Sequence, residues 1–167
     1  APETRQFTRQ DSLRGSITPE REWWDLTYYH LDIQVNPSDS SINGRNTVTY
    51  RVKRSAETMQ IDLQPPLEIK KATQNGKDLE FRREGNVYWI SMTGAQEPGR
   101  IYSLELTYGG KPKVSNRPPW EGGITWRTDS KGLPFIASSC QGDGASLWWP
   151  CKDHMYDEPA SMLISVT

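Results

Sequence analysis

Histidine and cysteine are scarce, each occurring twice among 167 residues. A zinc site takes several His, Cys or carboxylate ligands in a defined geometry, and His30 and His154 stand far apart in the chain. Cys151-Lys152-Asp153-His154 brings one thiol near one imidazole, but no second pair follows at ligand spacing, so no metal is assigned here. The same pair fails as a nucleophilic dyad, whose members normally lie far apart in sequence. Two cysteines make no disulfide framework; Cys140 and Cys151 are either one bridge between neighbouring strands or two buried thiols. Absent too are Gly-x-Gly-x-x-Gly, a Gly-rich phosphate loop ending in Lys-Ser/Thr, and Gly-x-Ser-x-Gly. No apolar run approaches the ~20 residues of a membrane helix. Charges nearly cancel, 20 basic against 21 acidic, which leaves no electrostatic footprint for nucleic acid. No catalytic residue is assigned in this chain.

What is present is period-two alternation. Leu31, Ile33 and Val35 alternate with Asp32, Gln34 and Asn36; Val48, Tyr50 and Val52 alternate with polar partners. Met59, Ile61 and Leu63 repeat the pattern before Pro65-Pro66 stops it, and Tyr102, Leu104, Leu106 and Tyr108 give the clearest case. Asn75-Gly76 is a hairpin signal, because both residues tolerate positive φ. A segment apolar at every second residue cannot show one face as a helix. These patterns predict an all-β, antiparallel domain of packed sheets over residues 23–167, preceded by a polar leader, 1–22, lying extended or partly ordered on its surface. The last alternation, Met162, Ile164 and Val166, stops at Thr167 in mid-pattern and predicts a domain incomplete at its C-terminal end. Ala at position 1 predicts a trimmed N-terminus and favours a periplasmic or secreted protein, a cytoplasmic location staying open.

One stretch departs from generic scaffold. In Ser138-Ser139-Cys140-Gln141-Gly142-Asp143-Gly144, the glycines leave Gln141 and Asp143 standing out from a bend, with Trp148 and Trp149 following. Seven tryptophans pack a core or, in a sharper reading, offer a stacking platform. The second reading describes a non-catalytic β-sandwich that binds glycans or peptides through Trp120, Trp148 and Trp149.

Ser139-Cys140-Gln141-Gly142, then Pro150-Cys151-Lys152-Asp153, then Asp157-Glu158-Pro159-Ala160 resembles the N-terminal domain of the aminopeptidase N family of zinc metallopeptidases, to which the leukotriene hydrolases belong. That family's run reads Gln-Cys-(Gln/Glu)-Ala, then Pro-Cys-x-Asp-x-Pro before a strand. Tyr28-Tyr29-His30-Leu31-Asp32-Ile33, Ile42-Asn43-Gly44, Ile61-Asp62-Leu63, Asn75-Gly76 and Leu106-Thr107-Tyr108-Gly109-Gly110 fit in the same order. The resemblance implies a saddle-shaped all-β domain packed on a thermolysin-like catalytic domain. That domain would carry the zinc, on a His-Glu-x-x-His motif that this chain does not contain. It implies peptide as substrate, and it places the family's substrate-binding Gln or Glu at Gln141, with Gly142 beside it. Ser139 and Gly142 depart from the pattern, as does the five-residue gap between Asp153 and Pro159, so that Asp153 or Asp157 matches the family's Asp. The resemblance gives that Asp a structural role, bracing the loop.

Overall fold

The computed structural model describes residues 6–167, and residues 1–5 of the expected leader lie outside them. The remainder of that leader is helical: α1 spans Arg9–Gly15 and α2 spans Pro19–Glu22. Thr8 caps α1, its side chain accepting from the Asp11 amide while the Asp11 carboxylate accepts from the Thr8 amide. Pro19 stands at the start of α2, where its missing N–H is no loss. Both helices are too short to hold by themselves, so their packing decides. Leu13 is buried with Val87 and Trp89, and Arg21 is wholly buried. The segment is docked on the strands that follow, because Leu13 and Arg21 find partners inside.

Eleven strands follow. β1 (Trp24–Asn36), β2 (Ser41–Val52), β4 (Glu68–Gln74), β5 (Lys77–Asp78), β8 (Ile101–Gly110) and β11 (Ser161–Val166) form one sheet in the order β11-β1-β2-β8-β4-β5. β3 (Thr58–Asp62), β7 (Val87–Ser91) and β6 (Phe81–Glu84) form a second, in the order β3-β7-β6. β9 (Gly123–Thr128) and β10 (Pro134–Ser139) form a separate hairpin. The all-β expectation holds with one amendment: β11 runs parallel to β1, pairing Tyr28 with Ser161 through Ile33 with Val166, so the large sheet is mixed. Alternation predicts a pleat and not the direction of a neighbour.

The alternating positions turn inward as expected. Leu31 and Ile33, Val48 and Tyr50, Leu104, Leu106 and Tyr108 from the large sheet share one core with Met59, Ile61, Tyr88 and Ile90 from the second. Each such burial contributes about 1.5–3 kcal/mol. Asn75 and Gly76 take φ of 52° and 74°, the two positive values of a tight primed turn between β4 and β5. The chain leaves the large sheet after Leu79, whose amide still reaches the Ala72 carbonyl at 2.9 Å. It enters the second sheet at Phe81.

Candidate functional site

β10 delivers the chain to Cys140, where it turns. The amides of Asp143 and Gly144 donate back to the Cys140 carbonyl at 3.1 and 2.8 Å, with Gly142 at φ 78° and Gly144 at φ 87°. A 3₁₀ turn over Ala145–Leu147 follows. Gln141 lies at the exposed crest of this bend, and its side chain makes no hydrogen bond among the described residues. Gly142 is exposed beside it, and its carbonyl accepts from the Arg14 guanidinium of α1.

The bend is tied down from below. Gln64 Nε2 donates to the Asp143 carbonyl at 2.6 Å and to Ser146 Oγ at 3.0 Å, while the Gln64 amide donates to the Ser146 carbonyl at 2.8 Å. The Asp153 carboxylate accepts from Ser146 Oγ at 2.5 Å and from the Ser146 amide at 3.2 Å. A Cβ on Gly144 would stand 2.1 Å from Asp153 Oδ2, so only glycine lets that carboxylate lie against the bend. Beneath, Asp62 and Cys151 exchange backbone hydrogen bonds of 2.8 and 3.0 Å, fixing β3 to the second cysteine.

A buried ion pair carries this layer. Asp62 Oδ2 accepts from Arg21 Nη2 at 2.7 Å and from the Asp153 amide at 2.9 Å, and Asp62 Oδ1 accepts from Gln60 Nε2 at 2.9 Å. Arg21 Nη1 donates to the carbonyls of Leu13, Arg14 and Ser16 at 2.7, 3.2 and 2.8 Å. Burial pushes the Asp62 carboxyl up, and the contacts from Arg21, Gln60 and the Asp153 amide oppose it. Neither Arg21 nor Asp62 is marked by the strand pattern. The capping-box spacing, Thr8 to Asp11, and Pro19 are the signals that announce the helices.

Beyond Cys151 the chain makes a second buried pair. Lys152 Nζ donates to Asp157 Oδ2 at 2.5 Å and to the Trp24 carbonyl at 2.7 Å, and lies over the rings of Trp24 and Tyr156, 4.0 and 4.7 Å from their centres. Burial lowers its pKa to about 8, against the pull of Asp157. Asp157 Oδ2 also accepts from the Leu26 amide at 3.1 Å. Both aspartates singled out in the sequence therefore brace the backbone, Asp153 the bend and Asp157 the start of β1.

Cys140 and Cys151 are free thiols, half-buried and buried. Burial pushes both up, so neither is poised as a thiolate nucleophile. Trp149 is buried edge-on to Tyr29, 4.8 Å between ring centres, and Trp148 packs on Trp149. Of the three tryptophans considered for a stacking platform, Trp120 alone presents an open ring, at 86% exposure. Among the described residues no group of three or more His, Cys, Asp or Glu side chains could hold a metal ion. No described helix is long and apolar enough to cross a membrane. Beside the bend a broad cleft of about 960 Å³ runs past Phe7, Arg14, Gly142, Trp149, Lys152 and Met155.

No protein-family model and no curated protein matches the sequence. Solved structures do. An M1 zinc metallopeptidase from Deinococcus radiodurans superposes with a TM-score of 0.69 at 23% identity, over 88% of this chain and 33% of that one. A variant of an M1 zinc metallopeptidase from the same organism, bound to a Tyr-Ser-Ala substrate, gives a TM-score of 0.69 at 21% identity, over 88% and 33% of the two chains. Leukotriene A4 hydrolase from Saccharomyces cerevisiae gives 0.65 at 15% identity, over 86% and 23%. This chain thus spans a third or less of the chains it matches, and the group that its residue order resembles is the group whose fold it shares. Its fold is that of about one third of an M1 zinc metallopeptidase.

Proposed function

We propose that this chain is the substrate-anchoring domain of a zinc-dependent aminopeptidase, an enzyme that removes N-terminal residues from peptides. One observation carries the reading. Gln141 is an amide without a hydrogen bond among the described residues, on the exposed crest of a bend braced by Gln64, Ser146 and Asp153, at the place in the residue order where the resembled family carries its substrate-binding Gln or Glu. A braced backbone carrying an unengaged side chain is the arrangement a contact residue needs.

An amide offers a donor and an acceptor together, so Gln141 can receive a peptide's ammonium end or its first carbonyl without bringing charge. Gly142 leaves room for a peptide backbone to approach. The described residues include no ligand set for zinc. The metal, which would polarise the scissile carbonyl and activate water, therefore falls to a thermolysin-like catalytic domain on which this one packs. By itself the chain is inactive.

The test is kinetic. In the full-length protein, Gln141→Ala lowers kcat/KM on aminoacyl anilides by about 5- to 150-fold, the equivalent of ~1–3 kcal/mol of lost hydrogen bonding, while the melting temperature holds. Unchanged kinetics would remove Gln141 from the site. A full-length sequence without His-Glu-x-x-His would remove the zinc peptidase.

A further inference from the structure

The N-terminal helix touches the candidate site, and nothing in the resemblance assigns it a role. α1 is fastened at three places. Arg9 pairs with Glu84, and Gln10 bridges the β6–β7 turn, donating to the Glu84 carbonyl at 3.3 Å and accepting from the Asn86 amide at 3.1 Å. Leu13 is buried against Val87 and Trp89. The C-terminal carbonyls of the helix converge on Arg21 Nη1. So fastened, α1 aims the Arg14 guanidinium at the Gly142 carbonyl, one residue from Gln141. Arg14 also lines the small cavity of about 20 Å³ that separates α1 from Ser146 and Asp153, so helix and bend face each other across space for about one water.

We infer that α1 is a strap that sets the position of the substrate-contacting bend, with Arg14 as its positioning residue. The inference rests on the reading of Gln141 given above. Below the bend, Gln64 and Asp153 fix Asp143 and Ser146. Above it, the Gly142 peptide is held by Arg14. Without that guanidinium the crest is free to pivot about Gly142 and Gly144, both at positive φ, and Gln141 loses its aim.

The experiment uses the full-length protein with Arg14→Ala, Arg14→Lys and Gln141→Ala, singly and combined. Amide hydrogen exchange should quicken about three- to tenfold at Asp143 and Gly144 in Arg14→Ala, without change in β1 and β2. KM for an aminoacyl anilide should rise about three- to tenfold with kcat little altered, and Arg14→Lys should restore part of it. In the Gln141→Ala background Arg14→Ala should have no further effect, because the group it positions is gone. Unchanged exchange at the bend overturns the strap, as does exchange that quickens throughout the sheet. Losses that simply add overturn its link to Gln141. Faster exchange at the bend, with activity indifferent to Gln141, leaves the strap standing and sinks the substrate reading instead.

Discussion

Asp62→Ala removes the acceptor of three buried donors: Arg21 Nη2 at 2.7 Å, Gln60 Nε2 at 2.9 Å and the Asp153 amide at 2.9 Å. The side chains of Arg21 and Asp62 are 0% and 6% exposed, so water does not replace the lost carboxylate. Breaking a buried pair from one side costs about 3–5 kcal/mol, since the remaining charge stays desolvated. Arg21 keeps three carbonyl partners on Nη1, which holds the penalty to that range. A domain of this size holds roughly 5–15 kcal/mol in all, and each kcal/mol moves Tm by about 2–4 °C, so a fall of about 6–20 °C is expected. Urea unfolding, followed by the fluorescence of buried Trp23 and Trp24, should show the midpoint falling at constant slope. Asp62→Asn should cost less, about 1–3 kcal/mol. Its carbonyl can still accept from Arg21 and Asp153, and its amide faces Gln60, whose own amide can turn over. The double change Arg21→Met with Asp62→Leu should recover part of the loss, because no charge is left stranded, while the carbonyls that Arg21 serves and the Asp153 amide go without their partners. A loss under about 1 kcal/mol in Asp62→Ala, or a double variant no better than the single one, would refute this account of the layer.

Three further outcomes are expected. Lys152, with a pKa lowered to about 8 in the fold and an ordinary value of 10.5 unfolded, sheds its proton earlier when folded, so the unfolded chain binds more protons between those limits. Stability from this group therefore rises with pH from about 8, by on the order of 3 kcal/mol at most. Measured as the difference between wild type and Lys152→Met, which cancels the raised tyrosines and thiols that act oppositely above about pH 9, the gap should widen between pH 7.5 and 10; a flat difference refutes it. Gly144→Ala combines φ of 87° with a Cβ 2.1 Å from Asp153 Oδ2 and should cost about 1–3 kcal/mol or more by thermal melting. Leu104→Ala, at a fully buried position of β8, should cost about 2–5 kcal/mol by the same measurement.

The legible part of the fold was the part with one wet face. β8 shows why: Leu104, Leu106 and Tyr108 are buried while Ser103, Glu105 and Thr107 are not, so the residue types announce the pleat. β3 was legible only through Met59 and Ile61, because both its faces are covered and Gln60 and Asp62 go inside with their partners. The helices leave no apolar period in the sequence, since α1 buries a single apolar residue, Leu13, and α2 buries only Arg21. Arg21 is buried by an ionic partner 41 residues away in sequence and Leu13 by Val87 and Trp89, which no local period records. In the site, the two glycines pointed to the bend and the order of motifs to Gln141. The bracing by Gln64, from between β3 and the Pro65-Pro66 stop, had no marker at all.

The parallel pairing of β1 with β11 has a consequence for how the chain is made. β1 leaves the ribosome early and gains β2 by a short hairpin, yet its other edge is covered only when residues 161–166 arrive. Until then that edge, from Tyr28 to Ile33, is a row of open amides and carbonyls able to pair with another nascent chain. This pairing also closes the longest loop of any strand pair among the described residues, so its formation should come last on refolding. β1 is a finished strand only once β11 has been made.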